Sequence, residues 1–141
     1  MNMKDERQFV GYSKYRSRLV DGHVHTELCP HGSGDRTALM IEKAIELRIE
    51  KVCLTEHAPL PAGFAAEYGG DKKAYNTASL KLNQVDSYLE LGRQLQRAYG
   101  THIDISLGFE VDYIPGFETD IQEFLDRYGP LTDDNILSVH F

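Results

Sequence analysis

Four short β-like runs alternate with helix-like segments along this chain, and that rhythm restricts the fold more than any other feature. The runs are LVDGHVH (19–25), KVCLTEH (51–57), IDISLGFEVDY (103–113) and NILSVHF (135–141). Between the first two, DRTALMIEKAIELRIE sets Leu39, Met40, Ala44, Ile45 and Leu47 at helical spacing, with Asp35 as the expected N-cap. A longer segment, about 76–99, repeats the pattern through Leu82, Val85, Tyr88, Leu89, Leu95 and Ala98, and Gly100 stops it. A third follows Pro115 with Phe117, Ile121, Phe124, Leu125 and Tyr128, ending at the breaker Gly129-Pro130. Strand alternating with helix predicts an α/β fold, a parallel sheet with helical crossovers.

Each run ends in residues able to bind a metal ion. His23 and His25 close the first, Glu56 and His57 the second, Glu110 the third and His140 the fourth. In parallel α/β architectures the carboxyl ends of the strands face a shared crevice or barrel mouth, so four strands deliver imidazole and carboxylate to one place. Side chains two apart in a strand share a face; His23 and His25 then form a pincer, with Val24 turned to the apolar side. His31 cannot share that strand, because Pro30 and the glycines of HGSGD force a turn, but a turn can fold it back over the site.

A single histidine near a strand end is usually a solvated or hydrogen-bonded group, and His102, at the amino end of its run, is read that way. The combination of an H-x-H pair with His57, Glu110 and His140 is not. Imidazole suits Zn, Fe and Mn, and a carboxylate such as Glu110 can bridge two ions. Ions of this kind acidify water and clamp the oxygens of an in-line displacement, which suits phosphate-ester hydrolysis. Asp21 and Glu56 flank ligands and read as groups that orient an imidazole, with surface or cap roles as the alternative. Cys29 reads as part of a turn positioning His31, with ligation the lesser alternative. Asp112 either shares the face of Glu110 or faces solvent.

The motifs DGHVHTELCPHG, LTEHAPLP, GFEVDY and ILSVHF together resemble the polymerase and histidinol phosphatase (PHP) superfamily, in its bacterial histidinol-phosphatase branch. The resemblance covers about 19–141. It implies the N-terminal half of a distorted seven-stranded TIM-like (βα) barrel with a centre of up to three divalent ions (Zn, Fe or Mn). It also implies hydrolysis of L-histidinol phosphate to L-histidinol and phosphate, in histidine biosynthesis. Carried over by motif, His23 and His25 hold a first ion with Glu110, which bridges to a second ion on His140, while His31 and His57 hold the third. Catalytic roles fall to Glu110, His23 and His25. Members of the superfamily continue beyond the SVHF strand and supply a further histidine and an Asp-x-His pair there. The expectation is therefore that these 141 residues alone hydrolyse little substrate and expose open sheet edges prone to self-association.

Composition narrows the alternatives. A net charge of −7 argues against a broad nucleic-acid surface and says little about a small anionic substrate; the small phosphorylated substrate is what the resemblance implies. The same charge disfavours, as a second reading, a related phosphoesterase acting on nucleotides or nucleic-acid ends. A third reading is a non-catalytic metal-binding half-barrel that pairs with another chain. No apolar run approaches the ~20 residues of a membrane span and no secretory h-region opens the chain, so a cytoplasmic location is expected. Two cysteines are too few for a disulfide scaffold, and Cys53 reads as a core residue. Residues 1–18, mildly basic and poor in apolar side chains, are expected to be a mobile extension. The stretch HAPLPAGFAAEYGGDKKAY reads as a lid or substrate wall, and Lys72, Lys73 and Arg36 as solvated cations near it.

Overall fold

The computed structural model describes residues 18–64 and 77–141. The proposed mobile extension, except Arg18, and the central part of the proposed lid, with Lys72 and Lys73, lie outside the described residues. The elements run β1 (Val20–Val24), α1 (Thr37–Glu46), β2 (Lys51–His57), α2 (Val85–Tyr99), β3 (Asp104–Asp112), α3 (Glu118–Tyr128) and β4 (Ile136–Ser138). All three strand pairings are parallel, in the order β1-β2-β3-β4. A strictly sequential order is that of a closing (βα) barrel, in which each crossover returns to the adjacent position. The chain is half of such a barrel. Among the described residues no strand covers the outer edge of β1 or of β4.

The central strands carry the core. Every residue of β2 from Val52 to His57 and of β3 from Ile105 to Asp112 is buried, as expected for a parallel sheet covered on both faces. Against them pack Val85, Tyr88, Leu89 and Leu95 of α2, with Ile41 and Ala44 of α1 and Tyr128 at the end of α3. Cys53 is buried as expected, at 7% exposure, on the face of β2 opposite Val52 and Leu54.

Three local expectations need correction. Leu39, Met40 and Leu47 are exposed; α1 buries Thr37, Ile41 and Ala44 instead, because that stripe faces the sheet and the larger side chains fall outside its arc. Asp35 does not cap α1. The helix starts at Thr37, and its first N–H is taken by the Glu27 carboxylate, while the Thr37 hydroxyl accepts the Glu27 N–H in return. That cap comes from ten residues upstream, so no local motif announces it. The long helical segment is also shorter than its periodicity: a 3₁₀ turn at Leu82–Gln84 precedes α2, and Gly100 ends it as anticipated. No helix of the described residues is long and apolar enough to cross a membrane.

Candidate metal centre

The register of the sheet places the candidate ligands. His57 pairs with Glu110 across β2 and β3, and Asp112 pairs with Ser138 across β3 and β4. In β1 the register slips between Asp21 and Val24, so that Gly22 and His23 face only Cys53 of β2. This bulge lies at the pincer. Val24 turns to the core, and the His23 and His25 rings stay 5.0 Å apart on the other side.

Glu110 is the hub. Its Oε2 lies 2.9 Å from His23 Nε2, 3.2 Å from His57 Nδ1 and 3.5 Å from His25 Nε2, and its Oε1 lies 3.5 Å from His140 Nε2. One carboxylate thus touches imidazoles from three other segments. The His31 ring, brought back by the turn after Pro30, is 5.0 Å from that of His57 and 6.4 Å from that of His25. All six side chains expected at the site line one cleft of about 340 Å³, with Ala78, Asp112 and Phe141.

Three of the rings are anchored at Nδ1, which frees Nε2. His25 Nδ1 lies 3.0 Å from Glu56 Oε1, His140 Nδ1 lies 2.6 Å from Asp112 Oδ1, and His31 Nδ1 lies 2.7 Å from the Thr77 carbonyl. A carbonyl only accepts, so Nδ1 of His31 donates, and in the neutral tautomer that fits this bond the lone pair is on Nε2. Carboxylate partners impose the same tautomer on neutral His25 and His140, an arrangement typical of metal-ligating histidines. Glu56 is itself held by the Thr26 N–H (2.8 Å), the Thr26 hydroxyl (2.7 Å) and the His57 N–H (3.1 Å).

The electrostatics follow from these contacts. Burial alone would raise the Glu56 carboxyl, but the bonds from His25, Thr26 and His57 outweigh it and hold it below the usual range. Glu110 is likewise lowered against its burial, through the His23 bond and the charges of His57, His23 and His140. The bond to Glu56 raises His25. Burial, reinforced by His25, lowers His57, which favours its neutral, ligating form.

Divalent ions fit this set of donors. His57 Nδ1 is buried without a hydrogen-bond partner, facing a Glu110 oxygen that it does not engage in a well-formed bond. A cation between them would satisfy both. Ligand atoms of His23, His25 and Glu110 lie within 4.8 Å of one another, as do those of His57, Asp112 and His140, separations that bonds of about 2.0–2.3 Å to one ion can span. A third such grouping joins Cys29 to His25 and His57. The Cys29 N–H, however, donates to the Thr26 carbonyl and the Cys29 carbonyl accepts the Gly32 N–H, which matches a turn that positions His31.

Asp21 is not brought in; it is exposed on β1, before the bulge. His102 is exposed at the amino end of β3, beside the Thr101 hydroxyl. Sequence reasoning left Asp112 undecided, although its spacing of two from Glu110 placed it on the same face. Thr26 and the Thr77 carbonyl went unnoticed, and a backbone carbonyl offers no sequence signal at all.

The chain is similar to known proteins over most of its described length. The family model described as PHP domain matches residues 21–141. The histidinol-phosphatase of Bacillus subtilis is 41% identical over 121 residues, which are 86% of this chain and 43% of that protein. A protein of Deinococcus radiodurans, provisionally named a histidinol-phosphatase, is 28% identical over 123 residues, 87% of this chain and 42% of its own. A crystal structure from Listeria monocytogenes, of a protein provisionally named a histidinol phosphatase, superposes with a TM-score of 0.84 at 43% identity. It is matched over 86% of this chain and 45% of that one. The chain spans less than half the length of these relatives. With the family model covering everything from Asp21 to Phe141, the chain belongs to the PHP domain family.

Proposed function

We propose that the chain forms the ligand-rich half of a metal-dependent phosphomonoesterase acting on L-histidinol phosphate. The observation that carries this reading is the contact of Glu110 with His23, His25, His57 and His140 at the carboxyl ends of a parallel sheet. His23, His25 and Glu110 would hold one ion, Glu110 with His140 and Asp112 a second, and His31 with His57 a third. Ions bound there supply Lewis acidity to a phosphoryl group and hydroxide at neutral pH. The protein's own groups do the rest. Glu56 and Asp112 fix His25 and His140 so that Nε2 meets the site without a proton. Phe141, at the rim of the cleft, offers an aromatic edge to a flat imidazole-bearing substrate.

Because the chain spans under half of its relatives' length, the hydrolysis is proposed for the whole protein. The test measures phosphate release from L-histidinol phosphate and from a nucleoside monophosphate, with added Mn or Zn and with a chelator. Slow release that favours histidinol phosphate and stops on chelation is expected. Preference for the nucleotide, or release that survives chelation, refutes the reading.

The outer edges of β1 and β4 favour a second reading, of a half-barrel that pairs with another chain. Leu137 and Val139 on β4 and its extension are 68% and 70% exposed, an apolar edge of the kind that recruits strands. Sedimentation of the purified chain across a concentration series tests it; a monomer at every concentration argues against self-pairing.

A further inference from the structure

We propose that Tyr88 is a positioning residue for the metal centre: its hydroxyl braces the unbroken β2–β3 ladder at the Glu56–Gly108 rung and holds the spacing of the strand ends that carry Glu56, His57 and Glu110. The inference deepens the metal-centre reading and rests on it.

The ladder can be counted from both ends. Asp104 N–H donates to the Glu50 carbonyl, and Ala58 N–H donates to the Glu110 carbonyl. In a parallel pair the bonds alternate evenly between the strands, so with Thr55 opposite Gly108 the Gly108 carbonyl faces the Glu56 N–H. The Tyr88 hydroxyl is found at that rung. It accepts the Glu56 N–H at 3.3 Å and lies 2.5 Å from the Gly108 carbonyl and 3.0 Å from the Leu54 carbonyl. A phenol has one proton, and the shorter contact assigns it to Gly108.

Packing alone does not explain this hydroxyl. Tyr88 is fully buried among Val85, Leu89 and Phe109, where a phenylalanine would fill the same space without burying a polar atom. The oxygen finds its partners only on the backbone of the ladder. Burial raises the phenol well above its ordinary value, so it stays a neutral donor.

The rung stands directly beneath the site. The next pairs are Glu56 with Phe109 and then His57 with Glu110. Gly108 is held from its other side too: a Cβ there would lie 1.4 Å from the Asp134 carbonyl, so the loop leading to β4 rests against bare backbone. Tyr88, Gly108 and Asp134 therefore form a stack across β2, β3 and the approach to β4. Its thickness fixes how far His57, Glu110 and His140 stand apart.

The test titrates Mn into wild-type chain, Y88F and L89A, reading affinity and the electron paramagnetic resonance line shape of bound Mn, with circular dichroism and thermal melts alongside. L89A removes core packing from the same helix without touching the ladder. The expected result is binding weakened about 10-fold or more in Y88F, with an altered line shape and an unchanged dichroism spectrum. L89A should melt earlier yet bind Mn as wild type does. Y88F binding as tightly as wild type, or L89A weakening it equally, overturns the proposal. A Y88F chain that fails to fold also counts against it, because the hydroxyl would then serve the fold as a whole. Wild-type chain that binds no Mn overturns the metal-centre reading itself, a result distinguishable from the others.

Discussion

Glu56→Gln is the sharpest perturbation this site offers, since it keeps the shape of a fully buried side chain and changes only the sense of its hydrogen bonds. The carboxylate accepts four donors: the Thr26 N–H and hydroxyl on Oε2, and His25 Nδ1 with the His57 N–H on Oε1. An amide has one accepting atom and one donating atom. If its nitrogen replaces Oε1, the His57 N–H faces a donor, and His25 can answer only by moving its proton to Nε2. That nitrogen is the one 3.5 Å from Glu110, and it then has no lone pair for an ion. If the nitrogen replaces Oε2, the Thr26 hydroxyl turns to accept, but the Thr26 N–H is stranded.

Either placement strands one buried backbone N–H and weakens the remaining bonds by removing their charge, together costing about 2–5 kcal/mol of stability. The placement that spares Thr26 also weakens divalent-ion binding, about 10- to 100-fold for a lost orienting partner. Urea unfolding of the metal-free chain reads the first effect and Mn titration the second, while ring ¹⁵N shifts of His25 report which nitrogen holds the proton. An E56Q chain with wild-type stability and wild-type Mn affinity would refute the reasoning, because no orientation of the amide satisfies all four donors.

Asp112→Asn should weaken one ion about 10-fold while sparing the His23–His25–Glu110 set, since Asp112 Oδ1 anchors both His140 and Ser138; calorimetric titration that finds every affinity unchanged contradicts it. Gly108→Ala must push the Asp134 carbonyl from 1.4 Å to at least 3.0 Å from the new Cβ. That strains the loop bonds from Leu107 N–H to Asp133 and from Phe109 N–H to Asn135, costing at least about 2 kcal/mol in a melt of the metal-free chain. Acid gives a further check: the folded Glu56 carboxyl lies below its ordinary 4.5, so its stabilising contribution is complete above that pH and fades as pH falls through the lower folded value. Wild-type chain should therefore lose stability below about pH 4.5 more steeply than E56Q, and parallel acid profiles would remove Glu56 as a cause.

What could be seen in the sequence was whatever depends on period and punctuation. Strand runs ending in His or Glu reveal themselves because a parallel sheet buries its strands whole and releases polar groups only at their ends. His23, His25, His57, Glu110 and His140 were legible for that reason, and His31 through the glycines beside it. Features that depend on register across the sheet were not. Glu27 capping α1, Thr26 holding Glu56 and the Thr77 carbonyl on His31 each join segments whose alignment no local pattern fixes. Tyr88 read as one more apolar helix position, and its hydroxyl gained meaning only with the rung beneath it known.

The burial of the ligands is graded across the sheet, and the grading has a physical reading. Glu110 and His57, on the central strands, have side chains 3% and 11% exposed, whereas His23 and His140, near the two edges, are 44% and 47% exposed. Charges at the centre therefore act through a less polar medium than charges at the rim, and the same carboxylate–imidazole or carboxylate–ion distance is worth more there. The bonds that an ion makes to His57 or Glu110 would be the strongest this half-barrel supplies alone. Ions leaning on His23 or His140 stand where water competes, and whatever polypeptide covers the edges of β1 and β4 would strengthen them by excluding it. On this reading the two edges and the two exposed candidate ligands belong together: closing the sheet would also tighten the centre.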